Sequence, residues 1–198
     1  MAETPRISRL TLASTVALGL TAGLLSGWLA ITGGMGGQSY AGWYGSSVTG
    51  SADAGPWQRA RVAVSGLLAL NKSQAIYFTR KTDDAGERLR EECRYRVSGG
   101  ALPGRWWSVT VYAADNYLPL NDDDALSFDA TEATPDAAGQ WSAILAPTRP
   151  EGGAWASTRK ADDFDITLRI YQPSAAAQAD FGSIPMPRVT RLDCGGKA

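Results

Sequence analysis

The chain has 198 residues, enough for one ordinary domain and an appendage, and it is 44% hydrophobic and 20% charged, a globular composition. Its formal net charge of -1 gives no sign of the basic face that a nucleic-acid partner requires. It contains no histidine, which excludes the commonest general base, the commonest metal ligand and any Ser-His-Asp or Cys-His site; an enzyme would have to use carboxylates, Lys, Tyr or Ser.

Arg6 and Arg9 precede an uncharged stretch of 22 residues, Leu10 to Ile31. As a helix rising about 1.5 Å per residue this reaches roughly 33 Å, against a hydrocarbon core of about 30 Å. A cleaved signal peptide is the alternative, but its apolar region usually runs about 7 to 15 residues and ends at a small-residue cleavage site, which is not evident here. Residues 1–31 therefore read as a short cytoplasmic N-terminus and a retained transmembrane anchor. The arginines before the span, with no charge soon after it, place the remainder across the membrane. Gly19, Gly23 and Gly27 recur every fourth residue, a spacing that can pack against a second copy or a partner helix, although glycine is also simply frequent in membrane helices.

Residues 32–55 contain eight glycines with Tyr40, Trp43 and Tyr44 interspersed, and read as a flexible linker. Its aromatics could rest at the membrane interface or pack back onto the domain. From Pro56, the spacing of Trp57, Ala60, Val64, Leu67 and Leu68 predicts an amphipathic helix lying on a sheet, with Arg59, Arg61 and Ser65 largely off the stripe and a stop near Asn71. Asn71-Lys72-Ser73 matches a glycosylation sequon, a pattern short enough to recur by chance.

Strands follow. Ala75 to Thr79 and Leu89 to Val97 flank an Asp-Asp-Ala-Gly turn, with Cys93, Tyr95 and Val97 on one face. The strongest strand runs from Trp106 to Ala113, with Trp107, Val109, Val111 and Ala113 alternating against Trp106, Ser108, Thr110 and Tyr112. Trp141 to Leu145, Phe164 to Tyr171 and Arg188 to Cys194 complete the set. Short strands punctuated by Gly, Pro and Asp predict a mainly all-β domain over 56–198, an antiparallel, jelly-roll-like sandwich with one packed helix.

Several segments, in order, carry a family resemblance: Gly55-Pro-Trp with Arg59-Ala60, Ala75-Ile-Tyr-Phe, Asp83-Asp-Ala-Gly and Cys93-Arg-Tyr with Gly99. Leu102-Pro-Gly-Arg-Trp-Trp-Ser-Val-Thr-Val-Tyr112, Leu168-Arg-Ile-Tyr-Gln-Pro173 and Cys194 follow. The set resembles the bacterial domain-of-unknown-function family 1214, in its short membrane-anchored form, over roughly residues 55 to 194. The resemblance implies a jelly-roll-like sandwich in the cell envelope that often accompanies a sister domain, number 1254, and it supplies no catalytic residues.

Candidate chemistry is sparse. Asn121 to Asp124, with Asp129 and Glu132, is the densest acidic stretch, but its spacing fits no Ca²⁺ loop and reads as solvated; no metal or cofactor is expected. Ser157 and Lys160 share an S-x-x-K spacing without the helix or the further motifs that would make it catalytic. Arg105 and Arg169 lie among Trp106, Tyr112 and Tyr171, a combination able to bind a carboxylate or sugar, or else to pair with a strand-end Asp such as Asp115 or Asp165 and serve only architecture. Cys93 and Cys194 are the only cysteines, and in an oxidising compartment are expected to form a disulfide. The leading expectation is a non-catalytic periplasmic module, anchored in the bacterial inner membrane, that binds a partner protein or small polar ligand. The alternative is an accessory or catalytic subunit of a hydrolase-like system working with a sister-domain protein.

Overall fold

The computed structural model describes residues 8–32, 37–51, 54–64 and 70–195. Arg6, Ser65, Leu67 and Leu68 lie outside the described residues. Helix α1 spans Arg9–Thr32, and Ser8 caps it by accepting the Thr11 backbone N–H at 3.1 Å. Leu10, Leu18, Leu24 and Leu29 are all exposed on it, and the Arg9–Ala30 stretch is long and apolar enough to cross a membrane. Helix α2 spans Pro56–Val64. The strands are β1 (Gln38–Tyr40), β2 (Trp43–Gly45), β3 (Ala75–Arg80), β4 (Cys93–Gly99) and β5 (Gly104–Ala113). They continue with β6 (Ser127–Asp129), β7 (Trp141–Ala146), β8 (Ala154–Ser157), β9 (Phe164–Pro173) and β10 (Arg188–Cys194). A short helix α3, Ala175–Ala179, sits between β9 and β10.

Two sheets make a sandwich. One is six-stranded, ordered β1-β2-β3-β9-β5-β6, and the other four-stranded, ordered β10-β4-β7-β8. At the centre, β5 and β9 pair antiparallel with Trp107 opposite Ile170, Val109 opposite Leu168 and Val111 opposite Ile166. All six are buried, which is the face assignment that the alternation predicts. Trp107 stacks on Trp141 of the facing sheet at 4.3 Å between centroids, and Tyr95 meets Phe164 edge-on at 5.9 Å. Cys93, Tyr95 and Val97 point inward together.

Three features depart from the expected architecture. The sheets are not wholly antiparallel: β8 runs parallel to β7. Gly152 and Gly153, with φ of 75° and 80°, turn the chain back in the left-handed region that glycine occupies without strain. Second, part of the linker is structured. β1 and β2 form a hairpin around Ala41-Gly42, both with positive φ, and β2 pairs with β3. Trp43 is fully buried and donates from Nε1 to the Pro187 carbonyl at 2.7 Å. A Cβ at Gly45 would sit 2.4 Å from the Phe78 ring, so here glycine serves close approach rather than flexibility. Third, α2 buries no side chain and packs against α1, not against a sheet. The inner face of the large sheet is covered by the second sheet. The packed helix is α3, whose Ala177 is buried.

Cys93 and Cys194 stand opposite each other on β4 and β10, disulfide-bonded with Cα atoms 3.8 Å apart. This is closer than the common range of about 4.4 to 6.8 Å. Their sequence separation is 101 residues, and closing a loop of that size contributes up to about 4.7 kcal/mol in the chain-entropy model. Arg80, only 3% exposed, joins distant segments: it donates to the carbonyls of Ala41, Thr82 and Pro187 and pairs with Asp84 at 2.7 Å.

Trp107→Ala is expected to cost about 3 to 5 kcal/mol, because it empties space between two sheets. Trp106→Ala should cost clearly less, because that ring is partly exposed on the outer face. Urea denaturation of the two variants checks this, and equal losses would contradict the face assignment.

Candidate functional site

The register that buries Trp107 also turns Trp106 outward. Trp106 pairs with Tyr171 of β9, which in turn pairs with Ala75 of β3, forming one cross-strand row at an end of the large sheet. The Trp106 and Tyr171 rings lie 5.1 Å apart, tilted by 49°. They wall a cleft of about 710 Å³, completed by Leu70, Ser73 and Gln74 on one side and by Arg105 and Gln172. Gly104 allows this arrangement: a Cβ there would meet Ile170 at 2.4 Å and the Tyr171 carbonyl at 2.8 Å. Gln172 has φ of 47°, sparsely populated for a non-glycine residue. Its backbone N–H is held by the Gln74 carbonyl at 2.7 Å.

Of the sequence-nominated residues, Arg105, Trp106 and Tyr171 converge on the cleft. Arg105 is exposed, and among the described residues its guanidinium has no ion-pair or hydrogen-bond partner. Arg169 and Tyr112 lie on the same sheet face but outside the cleft lining, bonded to each other. Arg169 donates to the Tyr112 hydroxyl and, at 2.7 Å, to Thr110 Oγ1, and its guanidinium sits 5.6 Å from the Tyr112 ring centroid. Asp165, considered as an arginine partner on the sequence, instead pairs with Lys81 at 3.3 Å and Arg88 at 3.0 Å. The cleft lining has an aromatic pair, one cation and amide and hydroxyl groups, but no carboxylate. It can stack and donate hydrogen bonds; it offers no acid–base pair.

A second polar cluster went unread in the sequence. Asp123 accepts from Arg159 at both oxygens, 2.9 and 2.6 Å, and from Ser157 Oγ at 2.6 Å. Hydrogen bonds from Arg159 and Ser157 hold the Asp123 carboxyl down at about 2. The acidic loop is therefore not uniformly solvated: Asp122 and Asp124 are exposed, while Asp123 ties the loop to the end of β8. The Ser157 hydroxyl is committed to that tie, and the Lys160 N–H is held by Glu91 at 2.8 Å. The only sequence hint was an arginine two residues after a serine, which is too common to mark a partner.

A family model described as "Protein of unknown function (DUF1214)" matches residues 74–175, which hold the core strands and most of the cleft. The chain belongs to the DUF1214 family. No curated protein matches it. This DUF1214 chain is similar in fold to the VPA0106 protein from Vibrio parahaemolyticus, whose crystal structure superposes with a TM-score of 0.60 at 20% identity. That superposition covers 96% of this chain but 47% of the other, so the chain spans about half the length of that neighbour. An uncharacterised protein from Burkholderia cenocepacia aligns with a TM-score of 0.40 at 18% identity, over 63% of this chain and 31% of that one.

Asp123 yields a signed pH dependence. Its carboxyl titrates lower in the folded chain than its ordinary 3.8, so the stability it contributes is complete above that value and is lost as pH falls toward about 2. Asp123→Asn is expected to destabilise the fold near neutrality, with the gap from wild type narrowing through that acid window. Thermal unfolding of both proteins across the pH series checks this; a constant gap would contradict it.

Proposed function

We propose that this chain is a non-catalytic, membrane-anchored module of the bacterial envelope that binds a small polar ligand, a carboxylate or sugar, in the cleft at Trp106 and Tyr171. The observation that carries the reading is Arg105: an exposed guanidinium with no partner among the described residues, beside a ready aromatic pair. A guanidinium binds carboxylates through two parallel hydrogen bonds, and aromatic faces stack on sugar rings. The absence of histidine from the chain and of carboxylates from the cleft lining supports binding over catalysis. The anchor reading draws on α1, and the periplasmic placement draws on Arg6 and Arg9 standing before the span with no charge close behind it.

A second reading, in which the module docks on a partner such as a sister-domain envelope protein, draws on a different feature. Tyr117, Leu118 and Leu120 in the β5–β6 loop are 74%, 44% and 85% exposed, at the opposite end of the sheet from the cleft. Self-association through Gly19 and Gly23 belongs to the same reading, since a Cβ at either would meet nothing within 4 Å.

Thermal unfolding of the full chain in detergent, against a panel of simple carboxylates and sugars, tests the ligand reading. A ligand at about a hundred times its Kd stabilises the folded state by about 2.7 kcal/mol, so at least one compound should raise the Tm by several degrees. Arg105→Ala is expected to abolish a carboxylate's effect and Trp106→Ala a sugar's. A panel with no effect, or a shift unchanged in both variants, overturns the assignment and leaves the partner reading.

A further inference from the structure

Helix α2 packs on α1 but leaves its apolar side chains largely uncovered. None of its side chains is buried, and Trp57 and Val64 are 56% and 59% exposed. Two neighbouring segments leave apolar side chains in the same state, with Val48 40% and Leu70 43% exposed. These segments are held together: Gln58 Nε2 on α2 donates to Thr49 Oγ1 at 3.0 Å, and the loop at Gly50 lies close against the Leu70 carbonyl. Grouped apolar exposure of this kind marks a surface that something else covers.

The position of α2 on α1 indicates what covers it. α2 packs on α1, and Trp57 lies over Gly27, near the C-terminal end of the Arg9–Ala30 span. In a chain anchored by α1, that is the level of a lipid headgroup region, where Trp concentrates. Charge agrees. From Ala54 to Thr79 the sequence has three basic residues and no acidic one, although the whole chain carries a net charge of -1. Arg59, Arg61 and Lys72 belong to that stretch, within or close to the exposed apolar segments. On this short helix Trp57, Ala60 and Val64 share one side, Arg61 borders that side one turn after Trp57, and Arg59 lies across from it, an arrangement that lets apolar side chains enter the membrane interface while a bordering arginine reaches outward to phosphate.

We propose that α2, with Val48 and Leu70, is an interfacial seat for the anionic bilayer surface from which α1 emerges. Trp57 and Val64 settle at the acyl boundary, and Arg59, Arg61 and Lys72 meet lipid phosphates. Because Leu70 also lines the cleft, the seat holds the cleft mouth at the membrane surface. The inference rests on α1 being embedded, but not on any ligand entering the cleft.

Hydrogen exchange of the full chain in lipid nanodiscs tests it, comparing discs of phosphatidylcholine alone with discs also containing phosphatidylglycerol. Amides 57–64 should exchange roughly tenfold more slowly in the anionic discs, and Arg59→Gln with Arg61→Gln should remove that difference. The wild-type comparison stands even if the double variant fails to fold. Equal exchange in the two lipids overturns the seat, as does protection found only in native membranes, which would assign this face to a protein. Amides of α1 serve as the internal control. Free exchange there would defeat the anchor and the seat together, whereas a protected α1 beside an unprotected α2 defeats the seat alone. Neither result moves the ligand-dependent Tm, so failure of the seat and failure of the cleft reading are distinguishable.

Discussion

The pairing of β5 with β9 governs both faces of the large sheet at once. Side chains alternate with period two, so the register that sets Trp107 against Ile170 also sets Trp106 against Tyr171 on the other side. Slipping β5 by one residue would place the tryptophan of the core in solvent, and slipping β9 would drive Thr167 and Arg169 into the sandwich. The cost of burying that arginine unpaired is far larger than any gain on the outer face. The hydrophobic core therefore holds the cleft residues in place without touching them. Gly104 adds the final constraint, since no side chain fits where β5 begins against β9.

Around that central pair, long-range ties replace local propensity. The disulfide fixes β10 to β4. Arg80 gathers the hairpin, the β3–β4 turn and the approach to β10 through one buried guanidinium whose donors reach carbonyls and Asp84. Asp84 itself shows the balance. Burial would raise its pKa, but hydrogen bonds from the Val189 backbone, Arg80 and Arg188 outweigh burial and lower it. Such ties suit a chain whose strands β1, β2, β6 and β8 are only three or four residues long.

Identical residue types take different parts here according to their neighbours. Arg169 and Arg105 both lie beside aromatics on the same sheet. Arg169, in mid-strand, finds Thr110 and Tyr112 on the adjacent strand and is consumed by them. Arg105, one residue into β5, has no such neighbours and faces the cleft. Trp43 and Trp57 divide similarly: one lies in the core, the other largely outside it.

The sequence by itself determined whatever depends on neighbours a few residues away. It marked the inward faces of β4, β5 and β9 through their alternation, the span of α1 through its length and lack of charge, and the family through an ordered run of segments. It could not determine partners, because hydrogen-bonding capacity is spread along the whole chain while pairing is settled by which segments the fold brings together. The Gly-rich segment looked like a tether because glycine density signals flexibility; in the sandwich Gly45 admits Phe78 and Gly42 a tight hairpin. Ala154–Ser157 lacks a strand's composition and becomes one only because β7 offers an edge after Gly152 and Gly153 reverse the chain. Likewise Trp106, Tyr171 and Arg105 were legible as a candidate group, but their separation from Arg169 and Tyr112 came from the tertiary structure, since only a neighbouring strand could engage one arginine and leave the other open.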